Sequence, residues 1–351
     1  MTIRDALIRA YALARSVWQA VVGMLCYSWR GEAGHGTWNA LLYLHCATNG
    51  ASTDLLRRVM RRLRPAPAPI HRFVSRLGTF DADALTEIAD RIRRDGYYTF
   101  PQRLPASFCD EIVRSARAAD GWARLNGNQL ETLPTFDPDH PLTPRYILPE
   151  AKVWQIPAYQ RLIADPVFVN LSQSYFGGAS ALKEVSLWWS PVVDGKPNED
   201  AAQLFHFDYD AAPIWLKFFI YLSDVTEETG PHVFAKGSHR LQQERARDIL
   251  RRGYVRIGDD EVGRVFGRDN VVELAGKKGT VFAVDTMGFH KGKPPLSGHR
   301  VLAQLEFAVP LFVPSRSAPL RLPRQLDPEL AEARTAYAWA FARYPLTARS
   351  G

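Results

Sequence analysis

The chain has 351 residues, 46% apolar and 23% charged. That is an ordinary globular mix on a chain long enough to bury a full core, which excludes disorder and a disulfide-dependent miniprotein. Its net charge of +7 is lopsided: residues 1–70 hold nine arginines (Arg4, Arg9, Arg15, Arg30, Arg57, Arg58, Arg61, Arg62, Arg64) and three acids (Asp5, Glu32, Asp54). A basic end on a near-neutral body predicts an anionic surface for that end and no nucleic-acid partner for the whole.

Residues 3–29 read as a helix, apolar around most of its circumference. The uncharged run from Ser16 to Trp29 is fourteen residues, short of the roughly 20 that span a bilayer. A signal peptide fits poorly, because Asp5 sits in the basic lead and no small-residue cleavage site follows. Residues 37–47 read as a second helix and residues 53–64 as a third, with Thr53 as its N-cap. The third places Leu55, Leu56, Val59, Met60 and Leu63 on one face and five arginines on the other. The apolar stripe is expected to pack on the two preceding helices, leaving the arginines solvated. The alternatives are that residues 1–64 make a peripheral membrane contact or a homodimer. The run Pro65-Ala-Pro-Ala-Pro69 reads as a stiff linker and a boundary.

Beyond it, helices are expected at 81–95, at 106–119 with Ser107 as cap, and at 158–176, ending on Gly177-Gly178. A first strand covers residues 97–101. From residue 181 the pattern turns to strands, at 182–192, 203–210, 214–225, 279–286 and 299–312. Short strands separated by turn residues indicate a sandwich or barrel. Residues 327–343 return to helix. The three cysteines, Cys26, Cys46 and Cys109, form no CxxC site and fit a reducing, cytoplasmic setting.

The chemistry concentrates in the strands. In Leu204-Phe-His-Phe-Asp-Tyr-Asp210 the period of two puts His206, Asp208 and Asp210 on one face. A His and an Asp two apart can reach one metal ion. The strand 279–285 leads to His290, a second histidine at a strand end. Two histidines and one carboxylate make the facial triad that leaves three positions open on Fe(II). Asp210 is the competing carboxylate. Ten residues past His290, Arg300 opens the next strand, and a planar guanidinium fork suits a dicarboxylate co-substrate. Lys217 shares a strand face with Trp215, Phe219 and Tyr221, so it needs an anionic partner or a route to the edge.

The order of motifs resembles the phytanoyl-CoA dioxygenase family of Fe(II)/2-oxoglutarate oxygenases. The matching segments are Asp95-Gly-Tyr-Tyr-Thr-Phe-Pro101 with Leu104-Pro-Ala-Ser-Phe-Cys-Asp110, His206-Phe-Asp208, Tyr221-Leu-Ser-Asp-Val225, Gly230-Pro-His-Val-Phe-Ala-Lys-Gly-Ser-His239, and Asp285-Thr-Met-Gly-Phe-His-Lys-Gly292 with Arg300. The resemblance covers about residues 95–310 and leaves residues 1–80 unassigned. It implies an all-β core with added helices: a double-stranded β-helix, the jelly-roll or cupin-like barrel, behind a helical N-terminal extension. The expected units are 1–69, the basic extension; 70–315, the oxygenase domain; and 316–351, a helical tail. By that likeness His206, Asp208 and His290 hold Fe(II), Arg300 grips 2-oxoglutarate, and Lys217 lies near the co-substrate. Oxygen is the second co-substrate, and a small organic substrate is hydroxylated with release of succinate and carbon dioxide. Related halogenases lack the carboxylate ligand, so Asp208 disfavours halogenation; desaturation, ring formation and epimerisation stay open.

Two rival readings carry different consequences. One is a catalytically silent metal-binding or scaffold protein on the same fold. The other is a membrane-peripheral protein anchored by its N-terminal helices. Of the remaining histidines, His239 reads as a turn residue beside the barrel mouth and His232 as loop structure that could face substrate. His299 points away from the co-substrate, and His35 reads as a turn. His45, His71 and His140 have no recognisable context. Trp188 and Trp189 fall on opposite faces of one strand.

Overall fold

The computed structural model describes residues 2–30, 35–67, 70–127, 129–193, 198, 201–209, 214–240, 246–309, 320, 322 and 325–346. Asp210 and residues 310–312 of the last expected strand lie outside them. Three helices lead: α1 (Ile3–Arg30), α2 (His35–Ala47) and α3 (Ala51–Leu63). Two corrections fall on α3. Thr53 does not cap it; Gly50 does, in the left-handed region at φ 85°, and the buried Thr53 hydroxyl meets His45 Nδ1 at 2.8 Å. The helix is also turned from the expected orientation. Of the expected stripe, Leu56 packs against Ala20, Leu41 and Leu44 of α1 and α2 and Met60 joins the main core, but Leu55, Val59 and Leu63 are exposed. Two arginines point inward instead: Arg61 Nε donates to the Phe176 carbonyl at 2.7 Å, and Arg57 lies 3.7 Å from buried Asp285. Backbone carbonyls and a buried carboxylate on the barrel side reward a guanidinium more than another leucine.

A small hairpin, β1 (Phe73–Ser75) and β2 (Gly78–Phe80), precedes α4 (Ala82–Asp95). The α4 helix follows its sequence closely. Asp81 accepts from the Ala84 N–H as N-cap, and Leu85, Ile88, Ala89 and Ile92 form the buried stripe. Gly96 ends it at φ 90°, where a side chain would be strained and a Cβ would collide with the Phe234 ring. Next come β3 (Tyr97–Thr99) and α5 (Ala106–Arg117). Pro105, not Ser107, precedes the first turn of α5, and no side chain caps it. Three short strands follow, β4 (Ala123–Asn126), β5 (Gln129–Thr132) and β6 (Tyr146–Leu148), then the one-turn α6 (Glu150–Val153). The single helix expected over 158–176 is two, α7 (Pro157–Ala164) and α8 (Pro166–Phe176). Pro166 lacks an N–H and sits at the first turn of α8, while Asp165 caps it by accepting from Val167 N–H.

The remaining elements are β7 (Ala181–Pro191), β8 (Ile214–Tyr221), β9 (His232–Ala235), α9 (Arg247–Leu250), α10 (Asp259–Phe266), β10 (Val271–Leu274), β11 (Val281–Val284), β12 (His290–Gly292), β13 (His299–Val309) and α11 (Pro328–Ala336). They make two antiparallel sheets. The larger runs β3-β11-β8-β13-β7-β6-β4-β5 and the smaller β10-β9-β12. Segment 203–210 is not a strand over its described part. It is extended chain joined by isolated bridges, Phe205 to Ile257 and His206 to His290.

Alternation along the long strands gives the large sheet two different faces. Leu216, Phe218 and Ile220 of β8 and Val301, Ala303, Leu305 and Phe307 of β13 join the main apolar core with α4, α5, α7 and α8. Each of the larger side chains in this set contributes about 1.5–3 kcal/mol by burial. The opposite face meets the smaller sheet. Phe219 and Tyr221 of β8, Phe234 of β9, Leu274 of β10 and Phe282 of β11 form one cluster between the two sheets. This is the jelly-roll barrel with added helices, and its open end holds the polar residues.

Candidate metal and co-substrate site

His206 and His290 face each other across a two-bond bridge: His206 N–H donates to the His290 carbonyl at 3.0 Å, and His290 N–H returns to the His206 carbonyl at 2.8 Å. Two residues on, the Asp208 N–H donates to the Thr286 carbonyl at 2.7 Å. These backbone bonds hold all three side chains at one end of the barrel. The His206 and His290 rings lie 4.4 Å apart between centroids.

The tautomers are set from behind. His206 Nδ1–H donates to the Leu204 carbonyl and His290 Nδ1–H to the Gly288 carbonyl, both at 2.9 Å. A carbonyl only accepts, so the proton sits on Nδ1 and each Nε2 is left with a lone pair. Both Nε2 atoms converge on Asp208, at 3.7 Å from Oδ1 and Oδ2 respectively. Burial favours the neutral imidazoles, pushing His206 well below its ordinary pKa and lowering His290. Burial opposes ionisation of Asp208, but the Lys217 ammonium beside it outweighs burial and holds the carboxyl well below the usual range. The set is therefore two neutral nitrogens and one carboxylate. Ligand atoms of His206, Asp208 and His290 all lie within 4.8 Å of one another, the one such group among the described residues. The donor set matches a facial triad.

Lys217 donates to Asp208 Oδ2 at 2.8 Å and lies 3.4 Å from Glu306, which also takes Lys183 at 2.6 Å. The anionic partner that Lys217 needs is thus the triad carboxylate itself, backed by a second acid from β13. Its ammonium pKa rises above the ordinary value: burial opposes the charge, and Asp208 and Glu306 overcome it.

Arg300 has the opposite situation. It is buried, yet no carboxylate lies within ion-pair distance of it among the described residues. One Nη donates to the Gly230 carbonyl, the other reaches Ser190 Oγ at 3.5 Å, and Nε has no partner. Burial lowers its pKa from the ordinary value, with Tyr221 opposing. Gly292 makes room for the fork, since a Cβ there would stand 2.9 Å from Arg300 Nη2. A buried guanidinium without a counter-charge is costly, and an incoming carboxylate relieves that cost.

A cavity of about 450 Å³ joins these groups. Its walls include His206, Asp208, Lys217, Phe219, Tyr221, His232, His290, Arg300, Leu302 and Gln304, with Arg145, Trp188, Tyr254 and Arg256 toward the opening. Trp188 lines it, while Trp189 is buried on the other face of β7. His232 is the residue that the sequence reading left open. It stands on β9, stacks on His290 at 5.4 Å and leaves Nε2 unpartnered in the cavity. Tyr254 also lines a second cavity, of about 600 Å³, between the N-terminal helices and residues 247–254, with Leu13, Leu42, Cys46 and Leu250 on its walls. The other histidines stay away from the triad. His239 bonds the Arg93 carbonyl at 2.9 Å, His299 stacks on Trp189, and His45 meets Thr53. His71 and His140 are exposed, and the His35 side chain lies outside the described residues.

A search of the solved structures returns EctD from S. alaskensis in its apoform, 19% identical, covering 76% of this chain and 91% of that one, with a TM-score of 0.47. It also returns the epimerase SnoN from nogalamycin biosynthesis, solved with Fe3+, alpha ketoglutarate and nogalamycin RO, 19% identical over 65% of this chain and 84% of that one, TM-score 0.45. HygX from Streptomyces hygroscopicus, solved with nickel, 2-oxoglutarate and hygromycin B, is 14% identical over 68% and 91%, TM-score 0.41. No curated protein sequence matches the chain. The family model for phytanoyl-CoA dioxygenase matches residues 92–301, more than half of the chain, with His206, Asp208, Lys217, His290 and Arg300 all inside the match. The chain belongs to the phytanoyl-CoA dioxygenase family of Fe(II)/2-oxoglutarate-dependent oxygenases.

Proposed function

We propose that the protein hydroxylates, or otherwise oxidises, a small organic substrate at the expense of 2-oxoglutarate and oxygen. His206, Asp208 and His290 would hold Fe(II), and Arg300 would take the distal carboxylate of 2-oxoglutarate. The iron, when bound, supplies the redox chemistry that couples 2-oxoglutarate decarboxylation to substrate oxidation. The rest falls to the chain. The Leu204 and Gly288 carbonyls keep the two imidazoles aimed inward, and Lys217 orients the Asp208 carboxylate through its 2.8 Å bond. Phe219 and Leu302 give the cavity a dry wall. His232 presents an unsatisfied nitrogen to whatever lies beside His290. The oxygenase unit is placed at residues 70–315, with residues 1–69 and 316–351 as additions to it.

The observation that carries this reading is a pairing: a three-residue ligand set and a buried arginine with no counter-charge among the described residues open on the same cavity. It is tested by titrating the anaerobic protein with Fe(II) and 2-oxoglutarate and recording visible absorption, with His206→Ala as control. A charge-transfer band in the wild type alone is expected. No band from folded wild-type protein would favour a silent scaffold on the same fold. Residues 1–64 enter this reading as a docking element for a membrane surface or a second copy.

A further inference from the structure

Helix α1 turns a second apolar face to water. Its packed side is made by Ser16, Ala20 and Gly23, small residues that let α2 approach, with Leu13, Met24 and Tyr27 packed around them; a Cβ on Gly23 would overlap the Thr37 side chain. Half a turn round, Leu7, Tyr11, Ala14, Trp18, Val21 and Leu25 follow at alternating steps of four and three. That spacing keeps them on one line of the helix, opposite the packed side. All six are exposed, Trp18 to 68% and Leu25 to 65%. No charge interrupts the line, and Arg4 and Arg15, both exposed, border it. The same end of the chain exposes Leu55, Val59 and Leu63 of α3 beside Arg58, Arg62 and Arg64.

We infer that this face of α1 docks on an anionic lipid surface, its apolar line buried at the headgroup boundary. Two observations choose lipid over a second copy. The first is charge: nine arginines against three acids in residues 1–70 attract a phosphate-rich surface and repel another copy of themselves. The second is width. Ile8 and Val17, on either side of the line, are also exposed, so the apolar surface is broader than the two-position seam of a helix pair. A broad apolar face with Trp and Leu, bordered by arginine, is the pattern of a helix lying in the interface plane. Among the described residues no helix is long and apolar enough to cross a membrane, so the contact is with the surface. The inference is independent of the oxygenase reading, and its test measures binding, not turnover.

The full chain is mixed with vesicles of phosphatidylcholine alone, or of phosphatidylcholine with phosphatidylserine, and centrifuged. Wild type is expected to pellet with the second and to stay in the supernatant with the first. The double variant Trp18→Glu/Leu25→Glu alters exposed side chains only and should lose about tenfold or more in vesicle partitioning. An unchanged circular-dichroism melt would show that the fold is kept. Wild type left in the supernatant with both vesicles, or a variant that pellets as well as wild type, would overturn the proposal. So would a lipid-free wild type that sediments as a dimer beside a monomeric variant, which would assign the face to self-association.

Discussion

Strand β13 buries Arg300, Gln304 and Glu306, while helix α1 holds Leu7, Trp18 and Leu25 in water. The two elements depart from the usual partition of side chains in opposite directions. In β13 the departure is partly settled inside the chain, because Glu306 takes Lys183 and Lys217. It is left open at Arg300, which has no carboxylate among the described residues. In α1 it is open along the whole outer line. The difference is instructive. Where a fold can settle a misplaced group internally it does so, and what stays unsettled is where the readings proposed above place something from outside: an anion in the barrel and a surface on the helix.

The comparison can be broken most sharply at the metal triad. Asp208→Ala or His206→Ala removes one of three ligands and should lower 2-oxoglutarate turnover about a thousandfold or more, with no Fe(II)-dependent absorption band. Activity close to wild type in either would dismantle the ligand assignment. Lys217→Met is next. It leaves half-buried Asp208 without its cation and buried Glu306 with Lys183 alone, and should destabilise the ligand-free protein by about 3 kcal/mol in urea unfolding. A smaller loss would mean that Lys183 alone suffices to hold Glu306.

Arg300→Met separates an unsettled charge from a settled one. It should weaken 2-oxoglutarate binding about 100-fold by calorimetry, while the ligand-free protein keeps or gains stability. Loss of stability comparable to Lys217→Met would show that Arg300 is already neutralised within the chain. The smallest effect is at the junction of the two regions. His45 is buried between α2 and α3, and burial, with Arg57 adding to it, pushes its pKa down to about 3. The unfolded chain takes up that proton near pH 6.5 and the folded chain does not. Stability is therefore full above about pH 6.5 and falls as the pH drops toward 3, by about 1.4 kcal/mol per pH unit for this one group. His45→Gln should flatten the slope of unfolding free energy between pH 6 and pH 5 by about that amount; an unchanged slope would show His45 charged in the fold.

The sequence carried the site further than it carried the frame. His206 and Asp208 are legible because two side chains two apart in extended chain share a face whether or not a ladder forms, and here none does. His290 was legible from its place at the end of the strand over 279–285, and Arg300 from opening the next. His232 was not, since β9 is four residues long and its partners β10 and β12 are as brief. Strands that short carry too little alternation to set a face. The split at Asp165-Pro166 was written in the sequence, but the apolar period runs on through both helices and masks it. The orientation of α3 was hidden for a different reason. Which of its faces turns inward depends on the Phe176 carbonyl and Asp285, more than a hundred residues away. Helical periodicity reports amphipathicity and says nothing about distant acceptors.

Tyr254 contributes to the walls of both the cavity of about 450 Å³ around the triad and the one of about 600 Å³ beneath the N-terminal helices. A side chain shared by two walls ties their shapes together. A smaller residue at position 254 would widen both rooms at once, without moving a strand.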